Sequence, residues 1–461
     1  MSTQRQKTQL ELALITRTPG EAEERAIKGT EVLMAARNAE RPAMSDQLME
    51  EITEQENLKK ALKRVQANKG APGVDGMTVD ELPDYLREYW PTIKAQLLAG
   101  TYKPLPVRRK EIPKPNGGTR NLGVPTVLDR FLQQALLQVL QPQWDPTFSE
   151  HSYGFRPGRS AHQAIAQAQQ FVREGYGIVV DLDLEKFYDL LVHDRLMSRV
   201  AERVSDKRVL KLIRAFLKAG VVLENGLVSP TEIGAPQGGP LSPILSNLVL
   251  DELDKELERR GLRFCRYADD VNVYVRSERA GQRVMRSISS FITRRLRLRV
   301  NATKSKVAKV SDCVFLGFTF TRGSGRKRTP SPKAITRFKE RIRQLTRRTR
   351  GVSIQQMVAD LAPYLRGWLG YFGFCETHRP LEDLDSWIRH RLRCFIWKQW
   401  KTFRKRRAGL MARGVEEAPA SQTAARSRGC WSTSDVWPLR RALPKAYFDS
   451  LGLPRLSGRP A

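Results

Sequence analysis

The sequence predicts an α+β protein, and three observations carry that prediction. Phe264-Cys265-Arg266-Tyr267 leads through Ala268 into Asp269-Asp270, and Val271-Asn272-Val273-Tyr274-Val275 leads away, a pattern that reads as a β-hairpin with an acidic tip. Upstream, the apolar run from Gly177 to Val180 reads as a buried strand that ends in the acids Asp181 and Asp183. In the last third of the chain, strand patterns give way to helical periodicities rich in arginine and tryptophan. Side chains alternate faces along a strand, so adjacent carboxylates share one site only at a turn. Two anions held together repel unless cations sit between them. An Asp-Asp pair is ordinarily a solvated turn, but the isolated aspartates on an upstream strand argue for a shared site.

The totals narrow the partner. The chain has 461 residues, room for roughly two to four domains. Its formal net charge of +31, with a pI near 10.3, implies a polyanion. Between Thr321 and Ala461 there are 31 Lys/Arg against 10 Asp/Glu, so +21 of the +31 sits in that third. No apolar run approaches the roughly 20 residues a spanning helix needs, and the start has no signal-peptide core, so nucleic acid is preferred over a membrane. Five widely spread cysteines argue against a disulfide framework and for a reducing cytoplasm. Cys375 and His378, followed by His390 and Cys394, resemble zinc-ligand spacing. His390 and Cys394 also sit one helical turn apart on an arginine-rich helix, where packing explains them without metal.

In order, residues 1–48 read as a polar tail, 49–65 as an amphipathic helix, 68–76 as a glycine-rich turn and 83–99 as another helix. Residues 107–125 form a hairpin with cations on both arms, from which Lys114 and Arg120 reach one triphosphate. A helix over 126–140 buries Val127, Phe131, Ala135, Leu136 and Val139. The segment from Tyr153 to Ser160 opens the next helix, and its Arg156 and Arg159 suit backbone or base contact. Asp181 and Asp183 share a strand face, and either supplies a carboxylate. Tyr188, five residues after Asp183, favours Asp183 if a sugar must rest on a ring beside the site. The loop from Ala235 to Pro243 opens a helix over 244–260, and its paired glycines admit close backbone approach. A helix over 281–296, a strand over 298–300, Lys304 and Lys306, and an apolar hairpin arm over 314–320 follow.

Helices are expected over 337–350, 357–374 and 381–407. Tyr364, Trp368, Tyr371 and Phe372 share one helical face and read as core. Trp387, Trp397 and Trp400 alternate with basic residues, which suits a helix packed on one side and facing nucleic acid on the other. Residues 408–430 read as a linker before a short tail. Asp183, Asp269 and Asp270 could hold two Mg²⁺ ions roughly 3.5–4 Å apart. With a basic hairpin for triphosphate and a basic end for strands, this describes a polynucleotide polymerase.

The same residues carry a resemblance. Tyr267-Ala268-Asp269-Asp270, Asp183 with Phe187-Tyr188, the run Pro236 to Pro243 and the run Ser152 to Ser160 are together similar to bacterial group II intron-encoded reverse transcriptase/maturases. The similarity continues through Phe315-Leu316-Gly317-Phe318 and Tyr364 to Phe372 to Tyr447-Phe448-Asp449-Ser450-Leu451-Gly452.

The resemblance implies a right-hand polymerase: fingers with an N-terminal extension (49–170), a palm of antiparallel sheet and helices (171–322), an α-helical thumb/maturase domain (323–407), and a basic C-terminal segment (408–461). It implies Mg²⁺ on Asp183, Asp269 and Asp270, with the Leu184 carbonyl joining them. It assigns Lys114 and Arg120 to the triphosphate, Gln237 and Gly238 to the nascent pair, and Lys304 to protonation of pyrophosphate. Tyr188 stands where the family has phenylalanine, as the steric gate against a 2′-hydroxyl. The nucleic-acid contacts fall to Arg156, Arg159, Arg341, Arg343, Arg347 and Arg348. Its implied partners are group II intron RNA, a DNA target with its primer, and deoxynucleoside triphosphates. No paired Cys motifs of an endonuclease domain precede Ala461, so a target nicked by another route is expected. Two alternatives stand beside synthesis during mobility: a splicing maturase whose polymerase is dispensable, and a reverse transcriptase recruited to DNA repair.

Overall fold

The structure, a computed structural model, describes residues 47–113, 119–223, 228–229, 233–235, 237–323 and 325–458. Nearly all of the expected tail, and Lys114, lie outside these residues, as does the side chain of Arg120. The chain begins with α1 (Leu48–Ile52), α2 (Gln55–Ala67) and α3 (Leu82–Ala99), followed by β1 (Val107–Pro113), β2 (Thr119–Val124) and α4 (Val127–Trp144). Next come α5 (Ala161–Arg173), β3 (Ile178–Asp183), α6 (His193–Ala201), α7 (Lys207–Lys218), β4 (Val221–Val222), β5 (Val228–Ser229) and α8 (Ser242–Arg259). The hairpin β6 (Arg263–Tyr267) and β7 (Asp270–Val275) precedes α9 (Glu278–Phe291), β8 (Lys306–Lys309), β9 (Phe318–Phe320) and β10 (Arg328–Pro330). The remainder is helical: α10 (Pro332–Leu345), α11 (Ile354–Phe372), α12 (Arg379–Gln399), α13 (Phe403–Met411), α14 (Glu417–Ala424), α15 (Cys430–Thr433), α16 (Trp437–Ala442) and α17 (Lys445–Ser450).

The chain divides into two compact units, one of 47–147 with 188–249 and the other of 148–187 with 250–458. In the first, β1 and β2 pair antiparallel from Arg108 opposite Val124 to Pro113 opposite Thr119. The sheet runs β2-β1-β4-β5. Beside it, α4 is capped by Thr126, whose hydroxyl accepts from the Asp129 N–H, one of the orphan donors of the first turn. Its buried face includes Val127, Phe131, Ala135 and Leu136, with Leu140 in place of the expected Val139. Helix α3 stops where Gly100 takes a left-handed φ of 66°. The helix expected over 49–65 is broken at Thr53, whose hydroxyl turns back to the Met49 carbonyl.

The second unit is built on the antiparallel sheet β6-β7-β3-β8. One face takes Val179, Cys265 and Tyr274, which join a core with Phe171 of α5. The other face meets α9, where an added Cβ on Gly281 would stand 2.5 Å from Val307. Instead of a strand over 298–300, the structure has a single bridge from Val300 to Leu184. In the helical part, Trp368 packs on Phe338 and Phe372 with ring centroids 4.6 Å from each, so this aromatic face is core. The helix expected over 381–407 breaks at Trp400, between α12 and α13. Residues 408–430 are not a linker: α14 packs on α13, and Leu410, Ala420 and Ala424 are buried. Their small and apolar residues fill a helical interface, which composition alone did not distinguish from a flexible run.

Candidate active site and nucleic-acid surface

The acidic tip is a two-residue turn, because Tyr267 pairs with Asp270 and leaves Ala268-Asp269 between the strands. Ala268 has a φ of 58°, a left-handed conformation that costs a residue with a Cβ about 1–2 kcal/mol. Neighbouring backbone holds it there. Tyr153 N–H donates to the Arg266 carbonyl at 2.9 Å, and Arg266 N–H donates to the His151 carbonyl at 2.9 Å, so 151–153 flanks β6. A Cβ on Gly154 would stand 2.3 Å from the Ala268 nitrogen, so only glycine permits this approach.

Strand register collects the acids. Asp183 lies opposite Asp270, and Asp181 lies opposite Asn272 on β7 and Lys306 on β8. Residues directly opposite share a face, so Asp181, Asp183 and Asp270 all point to one side while Val180, Leu182, Val271 and Val273 are buried on the other. Asp181, Asp183, Leu184, Asp269, Asp270 and Lys304 line one cavity of about 300 Å³. Asn301 N–H donates to the Asp183 carbonyl at 2.8 Å, and the Asn301 side chain accepts from the N–H groups of Thr303 and Lys304. That turn returns Lys304 over the site, with Nζ 3.7 Å from Asp183 Oδ2. Burial, then the charges of Asp181, Asp269 and Asp183, push the Asp270 carboxyl up to about 8. Burial first, then Asp183, push Asp181 up to about 6, against the pull of Lys306.

Among the described residues, no three His, Cys, Asp or Glu side chains already converge as a ligand set. The donor chemistry nevertheless fits a divalent cation. Four hard-oxygen groups line one small cavity, and only the ammonium of Lys304 among its lining residues opposes them. The Asp270 carboxyl is raised by burial first and by its carboxylate neighbours second.

In the first unit, Tyr188 and Gln237 line a second cavity, of about 230 Å³, together with Arg109, Asn121 and Asp189. The Tyr188 carbonyl accepts from Ala235 N–H at 2.8 Å, and its hydroxyl donates to Ser246 Oγ at 3.4 Å. The Gln237 carbonyl accepts from Gly123 N–H at 2.9 Å, which joins this loop to β2. Gly238 has a φ of 143°, and a Cβ there would stand 2.4 Å from the Gly123 carbonyl oxygen. The backbone of Arg120 pairs with Ile112. Sequence reasoning passed over Arg109 and Asn121. The signal was their place on the two strands of the basic hairpin, but nothing local said which face would enclose a cavity.

The expected nucleic-acid arginines separate. Arg156 is buried, its guanidinium donating to the carbonyls of Ser149 and Ser152 and lying 5.6 Å from the Phe148 ring centre. In place of the expected strand contact, its buried Nη1 braces its own segment. Arg159 stays at the surface beside the Tyr153 ring. Arg341, Arg343, Arg347 and Arg348 are all exposed. Arg343, Lys339 and Arg391 surround the half-buried ring of Trp387 at 5.7, 5.7 and 5.3 Å. Arg348 also donates to Cys394 Sγ at 3.7 Å. The zinc-like quartet does not assemble among the described residues. His390 stacks on Trp431 with centroids 3.7 Å apart, and Cys375 donates to the Thr377 carbonyl.

Carboxylates spaced along one face of an antiparallel sheet, with exposed arginine helices following in the same unit, place this chain among the polynucleotide polymerases. The family "Reverse transcriptase (RNA-dependent DNA polymerase)" matches residues 112–320, and "Group II intron, maturase-specific domain" matches residues 335–414. Protein YkfC of Escherichia coli is 35% identical over 60% of this chain and 84% of its own length. Group II intron-encoded protein LtrA of Lactococcus lactis is 37% identical over 45% of this chain and 34% of its own. The putative COX1/OXI3 intron 2 protein of Saccharomyces cerevisiae is 31% identical over 55% of this chain and 28% of its own. The chain thus spans most of YkfC but only about a third of the two intron-encoded relatives. It belongs to the group II intron reverse transcriptase/maturase family. No described helix is long and apolar enough to cross a membrane.

Proposed function

We propose that the protein copies RNA into DNA and binds a group II intron RNA, assisting its splicing and its mobility. The observation that carries the synthetic half is the pairing of Asp183 with Asp270, with Asp269 at the adjoining turn. Asp183, Asp269 and Asp270, with the Leu184 carbonyl, would hold divalent cations, for which Mg²⁺ suits hard oxygen donors. Bound there, the cations would activate a primer 3′-hydroxyl and neutralise the departing pyrophosphate. Lys304 supplies an ammonium 3.7 Å from Asp183 and would donate a proton to that pyrophosphate. Tyr188, held at its carbonyl by Ala235, would place its ring against the sugar and exclude a 2′-hydroxyl. Arg120 and Lys114 would hold the triphosphate, with Gln237 and Gly238 beside the nascent pair. The sheet β6-β7-β3-β8 would be the palm and α10–α12 the thumb.

Primer extension on an RNA template tests this reading. Asp269→Asn with Asp270→Asn should abolish DNA synthesis while intron RNA is still bound, and persistent synthesis would sink it.

A second reading, a splicing cofactor with dispensable polymerase, is favoured by the three cations around Trp387. RNA is held by phosphate contact and by stacking, and this surface offers both. Splicing that survives the Asn pair but fails on neutralising Arg341, Arg343, Arg347 and Arg348 would select it.

A further inference from the structure

Arg266 stands one residue before Tyr267 on β6, and its side chain takes the sheet face opposite Asp183 and Asp270. It is fully buried, as is Asp254 of α8. Nε lies 2.8 and 3.0 Å from the two Asp254 carboxylate oxygens, and Nη2 donates to the same carboxylate. The remaining arm is turned the other way: Nη1 donates to the Ala268 carbonyl at 3.1 Å.

We propose that Arg266 is a positioning residue, which sets the acidic tip for its cations by holding the Ala268 carbonyl from behind the sheet. The inference rests on the polymerase reading of that tip. A guanidinium is a rigid planar fork, so once Asp254 fixes the Nε–Nη2 edge the direction of Nη1 follows. The Ala268 carbonyl belongs to the peptide that joins Ala268 to Asp269. Holding that oxygen orients the plane from which the Asp269 backbone departs, at the residue whose φ of 58° most needs restraint. Gly154 presses on the same turn from the segment beside β6. The turn is therefore held at its nitrogen side by backbone packing and at its carbonyl by a charged donor.

Stability alone does not account for the arrangement. Removing two charges from water is costly, and apolar residues of similar volume hold a core as well as a buried ion pair does. The third arm is what an apolar pair lacks. Lysine lacks it too, because one ammonium on a flexible stem does not reproduce a fork that grips a carboxylate and a carbonyl at once.

The test uses the full chain with three variants: Arg266→Lys, the apolar pair Arg266→Met with Asp254→Leu, and Asp254→Glu, which keeps the charge pair but displaces the edge that aims Nη1. Mn²⁺ binding is read by electron paramagnetic resonance without substrate, folding by thermal melting, and primer extension by a separate kcat and KM for nucleotide. In every variant that melts cooperatively, Mn²⁺ affinity should fall about 10-fold or more, as outer-shell partners of metal sites do. The kcat should fall about 100-fold with KM nearly unchanged, as for a misplacement of the order of an ångström. Folded variants that bind Mn²⁺ and extend primers like the wild type would overturn the positioning role. Asp254→Glu decides the matter alone if both Arg266 variants fail to fold. A wild-type chain that neither binds Mn²⁺ nor extends a primer would instead overturn the polymerase reading on which this rests.

Discussion

Asp183 and Asp270 face one another as cross-strand partners, the last residue of β3 against the first of β7, with Asp269 in the adjoining turn. Like charges directly opposite each other oppose the pairing of their strands. Asp270→Asn should therefore leave the fold intact and, above about pH 8 where the Asp270 carboxyl ionises, raise its stability by about 0.2–1 kcal/mol, the range for such pairs, while DNA synthesis disappears. Thermal melting beside primer extension checks both halves. A variant that loses stability and activity together would point to a structural carboxylate.

Gly238 has no room for a side chain, since a Cβ would meet the Gly123 carbonyl oxygen at 2.4 Å. Gly238→Ala should push its loop from β2. The expected result is a rise in nucleotide KM, with a stability loss of about 1–3 kcal/mol from the strained backbone. Steady-state kinetics with denaturant melts measure the two effects.

Trp387 and its three cations predict a division in RNA binding. Neutralising Arg341, Arg343, Arg347 and Arg348 should flatten the dependence of log affinity on log salt by up to about 0.7 for each phosphate that is no longer neutralised. Trp387→Ala should cost about 1–3 kcal/mol of affinity if a base stacks there, with a smaller change in that slope. A salt titration of RNA binding separates the two.

Arg156→Ala should behave differently from Arg159→Ala. Arg156 braces two backbone carbonyls in the segment that leads to Gly154, so its loss should lower the melting temperature and leave the salt slope of RNA binding unchanged. Arg159→Ala should spare stability. Equal melting temperatures for the two variants would contradict the buried placement of Arg156.

Asp129 predicts a pH dependence. It is buried, accepts from Tyr102 Oη at 2.8 Å and from Thr126 Oγ1 at 2.7 Å, and burial outweighs these donors to push it up to about 6. A carboxyl raised in the folded state contributes stability that is present below its unfolded value of about 3.9 and is lost as pH rises through its folded one. The advantage of wild type over Asp129→Asn should shrink by about 1–3 kcal/mol between pH 4 and 7.5, followed by chemical denaturation. An advantage that grows with pH would show the donors outweighing burial.

Much of this protein is legible along the chain because its signals are local. The period of two put Asp181 and Asp183 on one face, and the 3.6-residue period marked the core side of α4 and α11. Alternation placed a hairpin tip at Asp269-Asp270, one residue beyond the turn that forms at Ala268-Asp269. What was not legible depends on partners far off in sequence. Arg156 and Arg159 are equally basic and three residues apart, and each donates to backbone carbonyls, yet only Arg156 is buried. Residues 408–430 have the composition of a linker, and become helices because apolar neighbours cover Leu410 and Ala420.

By itself, then, the sequence determined the inventory: strand acids in alternation, an acidic turn, a basic helical third, and a family whose motifs stand in order. The tertiary structure decided the pairing. Asp270 meets Asp183 through strand register, Arg266 reaches both Asp254 and the Ala268 carbonyl, and Lys304 returns to Asp183 through the turn at Asn301. Alternation along a strand follows from the stereochemistry of the strand itself. Register and burial follow from which surfaces exclude water together, and that is a property of the whole fold.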